Sequence, residues 1–312
     1  MTGWAIGAIA GWLSLTGPWG PLPQGLDLPA AVREDPRPPS ITRDTHYYTT
    51  NEARHDHFRG PVGDLGGVLV GVGTDQNFLL SGWAKPELLV LMDFDQAIVN
   101  LHGVYRLAFL EAETPQDFLA LWTKTGRRRL RELIQEAPDL DAGARKATLK
   151  TLSFAGGVVN GRLKQTLKDY NGLKVPTYLS DHGQYQVLRD LFREGRVFAI
   201  RGDLTGPKTM KDLGRTLKAH GLKVRALYVS NAEQYFTYTQ RFRTNIAALP
   251  FDDRSLVLRT RARGKDYVYV TQGYGNFVQW LAAPHIRNVR QVASLRGLAR
   301  RARFLEVTAA PP

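Results

Sequence analysis

Four short stretches hold the residue types that could do chemistry. The first is Gly71-Val72-Gly73-Thr74-Asp75-Gln76-Asn77, which begins on the last two residues of an apolar run of strand length, GVLVGV. Glycines there would let a ligand approach the backbone and reach the N–H groups opening the next helix. The second is Asp93, 22 residues after Gly71, spaced to accept both hydroxyls of a ribose. The third is Asp203, suited to accept from an adenine amino group. The fourth is Ser230-Asn231-Ala232-Glu233-Gln234-Tyr235, beside which a cofactor's reactive group would lie. There Glu233 is the candidate base, with Asn231 and Tyr235 orienting an acceptor.

Each stretch ends an apolar, strand-length segment: GVLVGV, ELLVLMDFD, VFAIRGD and VRALYVSN. Their hydrophobicity is continuous rather than alternating, as expected of a parallel sheet covered on both faces. Between them, helical periodicity carries Ile98, Leu101, Tyr105, Ala108 and Phe109 behind an N-cap at Asp95. A second helix with Met210, Leu213 and Leu217 closes at Gly221. SLVLRTRA and DYVYVTQG, separated by RGK, read as an antiparallel addition at the sheet edge. The expected fold is α/β, doubly wound and mostly parallel, with a charged helical insertion at about 112–180 capping a crevice at the strand carboxyl ends. The domain spans 46–282, behind an apolar N-terminal segment and Pro-rich linker (1–45) and ahead of a basic C-terminal helix and tail (283–312).

GVGTDQNFLL, LVLMDFD, RGDLTGPKTMKDLG, ALYVSNAEQYF and RTNIAALPFDDRSLVLRT resemble an uncharacterised bacterial family with a Rossmann core of the SAM-dependent methyltransferase type. The resemblance covers roughly Tyr47 to Arg263. It implies a class I methyltransferase-like fold with S-adenosylmethionine as cofactor. Gly71 and Gly73 would lie under its methionine part, with Asp75, Gln76 and Asn77 as polar contacts. Asp93 would hold the ribose and Asp203 would sit by the adenine, while Asn231, Glu233 and Tyr235 would face the methyl group. Two positions depart from the usual pattern: Leu69 stands where an acidic residue precedes the first glycine, and Asp75 where a third glycine is common. The expected activity is methyl transfer to a small-molecule or protein acceptor that the sequence does not identify. The alternative is a non-catalytic ligand-binding or interaction protein on the same fold, exported if residues 1–20 act as a signal.

Composition narrows the field. The chain has 312 residues and no cysteine, which excludes disulfides, thiolate nucleophiles and Cys-type metal sites. Its net charge is +13, from 42 Lys and Arg against 29 Asp and Glu, and 30 of the 42 are arginine. Basic clusters at 127–131 and 287–303 lack interleaved aromatics, so they read as solvated faces rather than a nucleic-acid groove. Trp4 to Leu15 is too short to span a bilayer as a helix but fits a signal or anchor. A cytoplasmic location is expected if that segment is inert, and export or membrane contact through residues 1–20 if it acts.

Nicotinamide binding would want glycine at 76, which is Gln, and GPKT at 206–209 lacks the upstream glycine of a phosphate loop. His55-Asp56-His57, with His46 and His102 as distant partners, fixes no third metal ligand. No G-x-S-x-G elbow supports a hydrolase triad.

Overall fold

The computed structural model describes residues 19–37 and 45–311. The apolar stretch Trp4–Leu15 lies outside the described residues. In chain order the elements are α1 (Leu28–Ala31), α2 (Asp56–Val62), β1 (Val68–Val72), α3 (Gln76–Ala84), β2 (Leu88–Asp93) and α4 (Gln96–Glu111). The insertion follows as α5 (Pro115–Leu121), α6 (Arg127–Glu136) and α7 (Ala142–Gly172). Then come α8 (His182–Arg193), β3 (Val197–Arg201), α9 (Thr209–Ala219), β4 (Val224–Ser230), a 3₁₀ turn (Ala232–Gln234) and α10 (Gln240–Ala248). The chain closes with β5 (Leu256–Arg263), β6 (Asp266–Gly273), α11 (Tyr274–Ala282), α12 (Val289–Val292) and β7 (Phe304–Val307).

The seven strands form one sheet in the order β3-β2-β1-β4-β5-β6-β7. The first five are parallel, β6 turns back on β5, and β7 runs parallel to β6. Alternate strand residues feed two cores, because successive side chains of a strand point to opposite faces. Leu69, Leu89, Leu91 and Tyr228 pack beneath α2–α8. Val68, Val70, Val90 and Leu227 pack beneath α1 and α9–α12. This is a Rossmann-like, doubly wound α/β fold, and its chain direction reverses between β1 and β4, where connections diverge and ligands gather.

Two expectations need correction. The basic tail is not a helix: only Val289–Val292 is helical, Gly297 takes a left-handed turn at φ +76°, and Phe304–Val307 adds a strand. The physical reason is the open edge of β6, whose unpaired backbone groups β7 satisfies. Part of the Pro-rich linker is also packed rather than free. Leu28 and Val32 enter the core, Arg33 pairs with Asp212 at 2.7 Å, and buried Asp35 accepts the N–H of Asp203 and Lys208.

Candidate functional site

Asp93, at the end of β2, pairs in register with Arg201 on β3. Its half-buried carboxylate accepts the N–H of Asp95 at 2.9 Å and faces the N–H groups of Gly73 and Phe94. Burial pushes the carboxyl up to about 7, against the pull of those backbone donors. The adjoining Phe94 is 43 % exposed, although it follows directly from a strand that is buried from Leu88 to Met92. His46 Nδ1 stands 2.6 Å from Asp95 Oδ2, and Asp95 caps α4 through the N–H of Ala97.

Asp203 lies beyond the neighbouring strand end, since Gly202 donates to the Asp93 carbonyl at 2.9 Å. Asp203 Oδ1 accepts the N–H and hydroxyl of Thr205, which shapes the loop. Carboxylates therefore stand at two adjacent strand ends with an exposed aromatic ring between them in sequence.

At the end of β1 the space is filled by the protein itself. A Cβ at Gly71 would overlap Asn77 Oδ1, and one at Gly73 would overlap Gln76 Nε2. Both side-chain amides donate to the Val72 carbonyl at 3.1 Å, so the glycines make room for them. Asp75 is buried and engaged: Arg162 of α7 meets it at 2.8 Å, and it accepts the N–H of Thr50 at 3.0 Å. Arg162 also donates to the Glu52 carbonyl at 2.9 Å.

Glu52 then reaches to the far side of the switch point. Its carboxylate accepts from Ser230 at 2.7 Å, from Thr260 at 2.5 Å and from Tyr228, and lies 2.9 Å from His55 Nε2. Burial alone would raise this carboxyl, but His55, Thr260 and Tyr228 together hold it below the usual glutamate range. Thr50–Glu52 is thus a strap from the turn after β1 to the end of β4 and the middle of β5, tied to the insertion by Arg162. Ser230, where the strap lands, holds a left-handed φ of +51° at a break in register with β5. Such strain persists only where surrounding contacts fix it.

The three residues expected to act on an acceptor do not converge. Glu233 is buried, paired with Arg259 at 2.6 Å and bonded by Tyr238 at 2.6 Å. Arg259 is itself fully buried and lies over the Phe277 ring. Tyr235 is 61 % exposed, and Asn231 is half-buried next to Tyr267. The carboxylate at 233 therefore serves to neutralise a core arginine, a partner whose identity depends on which strand faces the turn.

Sequence reasoning passed over Phe94, Glu52, Arg162, Thr260 and Arg259. Phe94 carried a signal, as an aromatic between two strand-end acids. Glu52 carried none, because its segment has no periodicity. Of the histidines, His57 packs on Tyr269 and Phe304, and His102 reaches the Gly73 carbonyl at 2.9 Å. Among the described residues no group of three His, Asp or Glu side chains could hold a metal ion.

A family model described as a domain of unknown function, DUF7790, matches residues 47–306. No curated protein matches the chain.

Proposed function

We propose that this chain, which belongs to the DUF7790 family, binds an adenosine-type nucleoside at the ends of β2 and β3, with S-adenosylmethionine as the ligand and methyl transfer to an unidentified acceptor as the reaction. The observation that carries this reading is the grouping of Asp93, exposed Phe94 and Asp203 on neighbouring strand ends. A carboxylate there would accept ribose hydroxyls, the Phe94 ring would offer a stacking face, and Asp203 would accept from the base edge. When bound, the cofactor would supply an electrophilic methyl group. Asp93, Phe94 and Asp203 would hold its nucleoside part, and the protein's contribution would be to position an acceptor beside it.

A second reading, nucleoside binding without transfer, is favoured by the strap and by the side chains of Gln76 and Asn77, which fill the half that a methionine moiety would need. The sequestration of Glu233 points the same way, because a base is required for a hydroxyl or protonated amine acceptor.

Calorimetric titration of the full chain with S-adenosylhomocysteine, adenosine and NADH separates the readings. Micromolar binding of S-adenosylhomocysteine, at least tenfold tighter than adenosine and lost in Asp93→Ala, supports the methyltransferase reading. Equal affinity for adenosine supports binding without transfer. No binding of any nucleoside sinks both.

A further inference from the structure

The insertion presents a surface that the nucleoside site does not use. One side of α7 packs on α4, α5 and α6, burying Leu152, Ala155, Val159 and Leu163. The opposite side faces solvent, and there Phe154 is 63 % exposed and Val158 52 %. These two side chains stand one helical turn apart, so they project together. Gly157 and Gly161 lie beside them and leave the pair standing proud of the helix. Exposed Lys146 and Lys150 flank the pair on one side along the helix, and exposed Lys164 and Lys168 on the other. At a helical repeat of 3.6 residues all six fall on one face.

The charge on this face is one-signed. From Ala142 to Lys168 the helix contains no Asp or Glu. None of the four lysines meets a carboxylate among the described residues, whereas Arg129 on α6 has three within 4 Å. The Arg127 guanidinium, packed against Gly156 and Gly157 at the margin, also lacks a carboxylate partner there. The chain has 12 lysines, and four of them lie on this one face, although arginine is its usual cation. A single helix with a short apolar crest between clusters of flexible cations suits a surface that is flat, negative and apolar just below its charge.

We propose that the outer face of α7 docks on an anionic lipid surface, with Phe154 and Val158 entering the headgroup boundary and the four lysines meeting acidic headgroups. Among the described residues no helix is long and apolar enough to cross a membrane, and α7 would lie along the surface. Charge complementarity decides for lipid over a second copy of this chain, since two such faces would repel. An exposed aliphatic side chain and a lone aromatic favour lipid over nucleic acid, whose stacking grooves interleave several aromatics with the cations.

The test is sedimentation of the full chain with vesicles of phosphatidylcholine alone or with about 30 % phosphatidylglycerol. It compares wild type with Phe154→Ser/Val158→Ser and with Lys150→Glu/Lys164→Glu. Every substituted residue is exposed, and circular dichroism checks that the fold is kept. Both variants retain Trp4–Leu15, so the difference from wild type reads α7 alone. Binding is expected only with the anionic vesicles and should weaken as salt is raised. Each lysine should contribute about fivefold, so the charge-reversed variant falls by about 25-fold or more, and the serine variant by about tenfold. Partitioning that is absent, unchanged in both variants, or equal on neutral vesicles overturns the proposal. So does polyuridylate binding that the lysine variant abolishes while vesicle binding stays intact.

Discussion

Asp93 and Glu52 are both shielded carboxylates, and their surroundings push them in opposite directions. Asp93 is held up at about 7 against an ordinary 3.8. A folded value above the unfolded one means that the native state keeps the proton longer. Ionisation therefore works against folding progressively from about pH 4 to 7. Asp93→Asn is expected to match or exceed wild-type stability at pH 8, with the advantage shrinking toward pH 4 in parallel urea melts. The proposed nucleoside binding would have the opposite dependence, because ribose hydroxyls would donate to the ionised form. Affinity should fall about tenfold per pH unit below 7. Glu52 lies below its ordinary 4.5, so its stabilisation is present above that pH and is lost as pH drops through the folded value. Glu52→Ala would strand Tyr228, Ser230 and Thr260 and leave His55 without its carboxylate, at a cost of about 3–5 kcal/mol near neutrality. The deficit in denaturant midpoint should narrow in acid.

At the level of elements, the strap, the β1 turn and α7 form one mechanical unit. Arg162 is its latch, since it joins Asp75 to the strap carbonyl at Glu52. Arg162→Leu leaves a buried carboxylate without its cation, costing about 3–5 kcal/mol. Amide exchange should accelerate selectively over residues 47–55, whereas a general loss of protection would mean that the latch is not local. The glycine turn makes a separate claim. Gly71→Ala should cost about 1–3 kcal/mol through overlap with Asn77. In an Asn77→Ala background the same change should cost clearly less. An undiminished cost would mean that the glycine serves something other than Asn77. The strand elements were legible because they are continuous apolar runs bounded by glycine and acids. Asp95 was legible as a helix cap because capping needs only local backbone. The strap was not legible, since the three side chains that donate to Glu52, those of Tyr228, Ser230 and Thr260, lie between 176 and 208 residues away.

For the whole molecule, the sheet ends in two strands that run against the other five, and β7 covers an edge that would otherwise be open. Residues beyond it also hold α11, because Asn276 and Trp280 both donate to the Ala309 carbonyl. Truncation after Arg303 is expected to expose the β6 edge and favour aggregation, seen as a lower melting temperature and rising light scattering. A truncated chain that remains monomeric with unchanged stability would show that the edge needs no cover.

Taken alone, the sequence determined the layered α/β plan, the four strand ends that carry polar groups, the strand-free insertion and the absence of thiol chemistry. Each follows from local pattern or composition, which act through periods of two or 3.6 residues and through turn chemistry. The tertiary structure decided which groups face one another. It turned Glu233 onto Arg259, gave the space beside Gly71 and Gly73 to Asn77 and Gln76, drew Glu52 across the switch point, and made a strand of Phe304–Val307. Those outcomes rest on burial, charge pairing and edge pairing between distant segments, and no local pattern encodes them.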